Sequence, residues 1–383
     1  MCNNIGMERI GIFGGTFNPV HVEHVNIVES AINELNLDRL FVMPTFLSPH
    51  KTLIPAPEVD RINMLKEAFS GLEKVEVSNY EIKKGGVSFT YQTAEEFRKN
   101  YPTAKIYWIV GGDMLVDFKT WRYPERILSS VDLAVFNRED IDVDYKKESE
   151  YFIDKFGKDF IKLKYNGKVC SSTKIRVYSA FNLPLDRLVP KSVSEYIEKN
   201  GLYKGDKYTE YVVKNLPEKR LKHTANVVIK ALSKAKELGL SQEKVMITAT
   251  LHDMAKYKNV SDYPDFTLPE GVPKPVEHAF LGAYLAEKEL GIFDREILDA
   301  IKYHTSGKAD MSTLSKLIFI ADMIEEDRDY QGVEELREYF KGDLDECLRK
   351  CLEEEILHLL NKKQYIYAET LSAYDYYVKD KKD

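Results

Sequence analysis

Cysteine and histidine are scarce in this chain, and long apolar runs are missing. Four cysteines in 383 residues (Cys2, Cys170, Cys347, Cys351) are too few and too scattered for a disulfide framework, and a reducing cytoplasm is the expected compartment. No stretch approaches the ~18 consecutive apolar residues of a membrane span. The first residues, MCNNIGMERIGIF, lack the basic region, long apolar stretch and cleavage site of a signal peptide, so none is expected. Excess positive charge is also missing: 55 basic residues face 62 acidic ones, for a net charge of −7. Residues 1–205 carry 28 of each sign, so the whole deficit falls in 206–383, with 27 basic and 34 acidic residues. A segment that acidic is a poor partner for nucleic acid, which is bound by Lys and Arg displacing counterions. With 44% apolar and 11% aromatic residues the chain can fill real cores, which excludes general disorder. At ~100–200 residues per domain its length suggests two domains.

The pattern of the chain changes where its charge does. ERIGIF (8–13), LFVMP (40–44), VEVSN (75–79), KIYWIV (105–110) and VDLAVF (131–136) read as strands. Helical patterns over 24–36, 59–71, 90–100 and about 119–129 lie between them. Such alternation predicts an α/β doubly wound, Rossmann-like parallel sheet with helices on both faces. The second part has almost no strands. Helices are expected at 217–238, 241–255, 275–290, 294–304, 311–325, 332–338 and 343–362, an all-α domain. The boundaries expected are therefore 1–203, a linker at 204–210 and a second domain at 211–383.

The eight histidines mark where chemistry concentrates. The first strand runs into GIFGGTFNPVHVEHV (11–25), where Gly14 and Gly15 precede a helix. Glycines there let backbone approach a phosphate, and a helix N-terminus offers free N–H groups. His21 and His24, spaced i, i+3, share one helical face beside the loop. In the second part His223, His252, Asp253, His278, His304 and Asp322 lie on successive expected helices. Imidazole and carboxylate together suit first-row divalent metals such as iron, manganese or zinc. Buried charged groups cost several kcal/mol unless paired, and a metal would pair them. His358 sits on a charged amphipathic helix and reads as surface or packing, while Cys347 and Cys351, spaced i, i+4, read as core.

GGTFNPVHVEH resembles the first signature of the nucleotidyltransferase superfamily with a His-x-Gly-His motif, Glu23 standing where that motif has Gly. CSSTKIR (170–176) is similar to its second signature, Ser-Ser-Thr-x-Ile-Arg. MPTFLSPHK (43–51), GGDML…W (111–121), VSNYEI with SFTYQT, and YIEKNGLY (196–203) narrow the resemblance to nicotinate-nucleotide adenylyltransferases, over residues 8–203. The resemblance implies that nicotinate mononucleotide and ATP are joined to nicotinate adenine dinucleotide, with Mg²⁺ on the triphosphate. His21, His24, Gly14, Gly15 and Thr16 would then contact the triphosphate, and Lys51, Ser171, Ser172, Thr173 and Arg176 would hold phosphates. Asp113 would meet a ribose or a metal-bound water; Trp121 would either stack on the pyridine ring or serve as a core aromatic. Asn79 stands where an Asp is common and is assigned no role.

LKHTANV, TLHDMAKY, PVEHAFLGAYLA, IKYHTSGKADMS and FIADMIEEDRDYQGVEELR, spread over 221–337, resemble the HD superfamily of metal-dependent phosphohydrolases. The later segments look closer to the HD-type symmetrical diadenosine tetraphosphate hydrolases, over about 206–370, with Glu326 where Pro is frequent. This implies His223, His252, Asp253 and Asp322 as core ligands, Asp253 bridging, and His278 and His304 completing a second metal site. Lys256 and Arg328 would bind the polyphosphate, and diadenosine tetraphosphate would be cut to two ADP. Other readings are a nucleotide-sensing module without turnover, or hydrolysis of the first domain's own product. The metal's identity and a homo-oligomeric state are left open.

Overall fold

The computed structural model describes residues 7–46, 56–139 and 142–379. The chain divides into two compact units. One comprises the residues up to Arg176 together with Leu185–Tyr203; the other comprises Val177–Pro184 and the residues from Lys204 onward. Composition alone put a single crossing at 204–210, a stretch in which a helix already starts at Lys207.

The first unit is built on six strands: β1 (Arg9–Gly15), β2 (Arg39–Pro44), β3 (Val75–Val77), β4 (Lys105–Gly111), β5 (Asp132–Arg138) and β6 (Ile161–Gly167). They form one parallel sheet in the order β3-β2-β1-β4-β5-β6. The connecting helices are α1 (Val22–Glu34), α2 (Glu58–Phe69), α3 (Tyr80–Lys84), α4 (Thr90–Asn100), α5 (Gly112–Asp117), α6 (Pro124–Ser130), α7 (Tyr145–Phe156), α8 (Ser172–Ala180) and α9 (Lys191–Asn200). Central strands covered on both faces should be apolar throughout. Accordingly Ile10, Ile12 and Phe13 of β1 and Ile106, Tyr107, Trp108 and Ile109 of β4 are buried. The sixth strand was not expected from the sequence, because lysines interrupt its apolar residues. It is an edge strand, where one face and one edge meet other surroundings. Its backbone N–H groups at Lys164 and Tyr165 donate to the Glu34 carboxylate at 2.6 and 3.1 Å.

The strand order reverses between β1 and β4. In such a sheet the crevice at the carboxyl ends of these two strands is where ligands bind, and the two glycine-rich ends, Gly14-Gly15 and Gly111-Gly112, meet there.

The second unit is helical among its described residues: α10 (Lys207–Asn215), α11 (Glu218–Ala235), α12 (Gln242–Leu251), α13 (Glu277–Leu290), α14 (Arg295–Tyr303), α15 (Thr313–Ile324), α16 (Val333–Lys341), α17 (Leu344–Asn361) and α18 (Ala368–Tyr374), with a short π-helical turn at Asp375–Lys379. Ser241, Asp294, Ser312 and Asp343 start α12, α14, α15 and α17 by accepting a backbone N–H of the first turn, each such cap worth ~1 kcal/mol. The core is aliphatic, with Val228, Leu251, Leu281, Leu314, Ile318 and Phe319 all buried. Cys347 and Cys351 are part of it, as expected, and His358 is exposed. Inside this unit Tyr178 donates its hydroxyl to Asn226 Oδ1 at 2.9 Å, which ties the 177–184 segment to α11.

Candidate active sites

In the first unit a cavity of about 530 Å³ opens at the ends of β1 and β4. Its floor is the β1–α1 turn. Phe17 adopts φ +47 there, a left-handed conformation that is costly for an aromatic residue. A Cβ on Gly15 would come within 3.0 Å of the Phe17 ring, so this turn needs glycine for close packing. Arg61 of α2, fully buried, donates from Nη1 to the carbonyls of Thr16 (3.0 Å) and Thr45 (2.7 Å), and from Nε to Ala56 (3.2 Å). No motif pointed to this arginine.

His21 caps α1 in extended backbone conformation and stacks on His24, the ring centroids 3.5 Å apart and the planes 22° from parallel. The His21 backbone N–H donates to His24 Nδ1 at 3.1 Å. Burial, aided by the charge of Arg138, lowers the His21 pKa to about 3, so this imidazole is neutral at physiological pH. His21 Nδ1 is buried without a hydrogen-bond partner. The shared helical face expected for the pair is thus a stacked pair of rings in the cavity wall.

The second motif is tied to the same turn. Ser172 Oγ donates to the Pro19 carbonyl at 2.9 Å, and Arg176 Nη1 donates to the Asn18 carbonyl at 2.8 Å. Arg176 Nη2 also reaches Thr173 Oγ1 at 3.1 Å, and Ser171 Oγ accepts the Lys174 N–H at the start of α8. Arg176 is therefore engaged in joining the two motifs. Gly14, Gly15, Thr16, Asp113, Trp121 and Ser172 line the cavity together with His21 and His24. Asp113 stands in the first turn of α5, folded back over Gly111, where a Cβ would lie 2.5 Å from its Oδ1. Trp121 is half-buried, packs on Phe118 at 5.2 Å between centroids, and also faces the cavity. Lys51 and His50 lie outside the described residues. Arg138, the last residue of β5, and Lys168, just after β6, line the cavity as well; sequence inspection missed both, since neither sits in a recognisable motif.

The second unit gathers its predicted residues around one carboxylate. Asp253 is 2% exposed, just after α12. His278 Nε2 and His304 Nε2 lie 3.0 and 3.5 Å from its Oδ1, and His252 Nε2 and His223 Nε2 lie 3.6 and 3.8 Å from its Oδ2. Asp322 of α15 approaches His223 Nε2 at 3.0 Å. Ligand atoms of His223, His252 and Asp322 form one compact group, and those of His252, Asp253 and His304 a second.

The tautomers follow from the surroundings. His252 Nδ1 donates to the Ala249 carbonyl at 2.7 Å and His304 Nδ1 to Ile301 at 2.8 Å. In the neutral tautomer of each ring, Nε2 is a lone pair turned toward Asp253. Burial lowers the His252 pKa to about 3, and its Nε2 is buried without a hydrogen-bond partner. Burial would raise the Asp253 carboxyl, but the imidazoles around it, His252 first, hold it well below the usual carboxylate range. Burial would lower the His223 pKa, but Asp322 and Glu325 on either side of the ring raise it. Imidazole nitrogens converging with buried carboxylates are the donor set of a divalent metal, so these residues fit such an ion.

Cations border this cluster. Arg328 Nη2 donates to Asp322 Oδ1 at 2.6 Å, and Lys256 Nζ lies 3.2 Å from His278 Nε2. Two further residues were not anticipated. Arg220 Nη1 donates to Asp253 Oδ2 at 2.7 Å, and Glu325 Oε1 sits 3.1 Å from His223 Nδ1. Each is three residues from a predicted ligand in sequence, a spacing that puts side chains on one helical face.

A cytidylyltransferase-like family model matches residues 12–177, and an HD domain model matches residues 220–327. A Mycoplasma genitalium protein named "Probable nicotinate-nucleotide adenylyltransferase/Ap4A hydrolase" is 30% identical over 328 residues, spanning 84% of this chain and 88% of that protein. A Clostridium tetani "Probable nicotinate-nucleotide adenylyltransferase" is 37% identical over 203 residues, 52% of this chain and all of that protein. A crystal structure from Clostridium acetobutylicum, titled as a predicted HD superfamily hydrolase involved in NAD metabolism, is 32% identical and covers 46% of this chain and 97% of that one, with a TM-score of 0.42. The chain belongs to the nicotinate-nucleotide adenylyltransferase family, in the form that carries a C-terminal HD domain.

Proposed function

We propose that the chain is a bifunctional enzyme. The first unit transfers adenylate from ATP to nicotinate mononucleotide, and the second hydrolyses diadenosine tetraphosphate to two ADP. The observation that carries the first activity is the largely apolar cavity at the sheet's switch point, in whose wall the His21–His24 stack, Arg138 and Ser172 stand together as polar groups. ATP enters as its Mg²⁺ complex. A phosphate oxygen of nicotinate mononucleotide attacks the α-phosphorus; the new O–P bond forms as the bond to the β-phosphate breaks, and pyrophosphate leaves. No protein nucleophile is needed, so the residues act by positioning and by meeting charge that grows in the transition state. His21, neutral, and His24 stacked on it stand where triphosphate oxygens approach the β1–α1 turn. Arg138 and Lys168 supply positive charge, and Ser172 brings the start of α8, with its free N–H groups, to the cavity wall. Lys51 is retained as a phosphate ligand from the sequence motif, and Asp113 and Trp121 as contacts to the nucleosides.

The second activity rests on the convergence of four imidazoles on Asp253. His223, His252, Asp253 and Asp322 would hold one divalent metal, and His278 and His304, sharing Asp253, a second. Such ions, with iron favoured over manganese or zinc, supply Lewis-acid charge to a phosphoanhydride and make water more acidic. The chain's own cations, Arg220, Lys256 and Arg328, stand against the ligand groups and receive the polyphosphate. Chromatography of products from the purified full chain tests both halves. Nicotinate adenine dinucleotide should form from nicotinate mononucleotide and ATP, and ADP alone from diadenosine tetraphosphate. AMP plus ATP from the latter would overturn symmetrical cleavage, and tight binding without any product would make the second unit a sensor.

A further inference from the structure

Glu23 stands between the two cavity histidines, at a position where a bulky acid beside a polyanion site would be expected to repel substrate. Its surroundings give it another role. The side chain is 6% exposed, in the first turn of α1, where a helix N-terminus favours a carboxylate. Oε2 accepts the Tyr165 hydroxyl at 2.7 Å and the Lys168 backbone N–H at 2.9 Å, and Oε1 accepts Asn26 Nδ2 at 3.0 Å. Tyr165 belongs to the last strand of the sheet, whose outer edge has no neighbouring strand among the described residues. Glu34, three turns further along the same helix, takes the N–H groups of Lys164 and Tyr165. The two glutamates of α1 thus hold β6 where its register with β5 shifts, and its exit.

The exit of β6 leads within a few residues to Ser171 and Ser172, and Gly167, Lys168 and Ser172 all line the cavity. Ser172 in turn reaches back to Pro19 in the β1–α1 turn. Glu23 therefore closes a loop of contacts: the His21–His24 turn, α1, residues 165–168, the Ser-Ser-Thr motif, and the turn again.

We propose that Glu23 is a positioning residue of the adenylyltransferase site, which sets where residues 167–172 stand in the cavity wall and thereby how tightly the ATP triphosphate is held. This rests on the adenylyltransferase reading given above. A positioning residue and a repelling charge predict opposite signs. Removing the clamp weakens ATP binding; removing a repulsion strengthens it.

Steady-state kinetics on the full-length Glu23→Ala, Glu23→Gln and Tyr165→Phe proteins decide between them, together with equilibrium binding of a non-hydrolysable ATP analogue and thermal unfolding. Hydrogen bonds to a charged group are worth enough that Glu23→Ala should raise KM for ATP, and weaken analogue binding, about tenfold. The KM for nicotinate mononucleotide and kcat should stay within about threefold. Glu23→Gln keeps a carbonyl oxygen for Tyr165 and Lys168 and should restore ATP binding to within about threefold of the parent. Tyr165→Phe removes one donor without altering charge and should produce a rise of about threefold, smaller than that of Glu23→Ala. Unchanged or tighter ATP binding in Glu23→Ala, with the unfolding temperature retained, overturns the proposal. If Glu23→Ala fails to fold, Tyr165→Phe carries the test, and unchanged analogue binding in it has the same meaning. A parent protein that binds the analogue but makes no dinucleotide would defeat the adenylyltransferase reading instead, and the binding arm would still judge Glu23.

Discussion

The two units use histidine in opposite ways. In the first, His21 and His24 lie face to face in the wall of an open cavity of about 530 Å³, and hydrogen bonds join the neighbouring motif to the same backbone turn. In the second, four imidazoles surround a carboxylate that is 2% exposed. The first arrangement leaves an open cavity and contributes the neutral His21 ring and N–H groups to its wall. The second turns imidazole nitrogens toward one buried carboxylate, with cations bordering the cluster. Sheet topology accounts for the difference. A doubly wound sheet presents strand ends to solvent, so its site is a crevice, whereas helices packed side by side direct residues inward to a shared core.

The sharpest way to break this contrast is Asp253→Ala. Loss of a single outer partner of a ligand already costs ~10–100-fold in affinity or activity, so loss of the shared carboxylate should reduce diadenosine tetraphosphate hydrolysis by more than ~1,000-fold. Metal content, measured on the purified protein, should fall with it. Adenylyl transfer should be unaffected, and a parallel loss of both activities would mean that the units do not work separately. The converse change is His21→Ala, which removes half of the ring stack. Dinucleotide formation should drop ~100-fold, the scale of one preorganised group in an active site, with hydrolysis intact. A variant retaining full transfer would remove His21 from the chemistry.

Glu325→Gln probes the contrast more finely. Glu325 is 2% exposed and faces His223 Nδ1 at 3.1 Å, while its other oxygen accepts the Asp327 N–H at 2.7 Å. A carboxylate behind a ligating histidine fixes the ring and makes it more basic, and metal affinity should fall ~10-fold by equilibrium dialysis when the charge is removed. Unaltered affinity would show that the ring is held by α11 alone.

Much of this was legible in the sequence because each signal was local. Five strands and the helices carrying the histidines announced themselves by periodicity, and the spacing of His21 and His24 placed both on one face. Strand β6 did not, since an edge strand with Lys162 and Lys164 on its open side lacks the apolar run of a buried one. Arg61 and Arg138 were missed because their partners lie elsewhere in the chain or beside a ring that sequence cannot place near them; Thr16, for instance, is 45 residues from Arg61. Arg220 and Glu325 were closer to recognition, each three residues from a ligand, but both residue types are common on solvated helix faces. The role of Glu23 depended on Tyr165, which is 142 residues away.

A further expected effect concerns protonation and tests whether His21 is truly withdrawn from water. Its pKa in the folded protein is lowered to about 3 from the usual 6.5, by burial first and by Arg138 second. Between those values the unfolded chain binds a proton that the folded protein refuses, so stability falls as pH drops from 6.5 toward 3 and is level above 6.5. His21→Asn has no such proton. The unfolding temperature of the parent relative to that variant should be constant from pH 7 to 8.5 and decline steadily from pH 6.5 to 4. A difference that stays constant down to pH 4 would mean that the ring titrates as it does in water, and that the stack on His24 is too open to exclude charge. The transfer reaction would then have to be read with a cationic His21, and the contrast between the two uses of histidine would lose its first half.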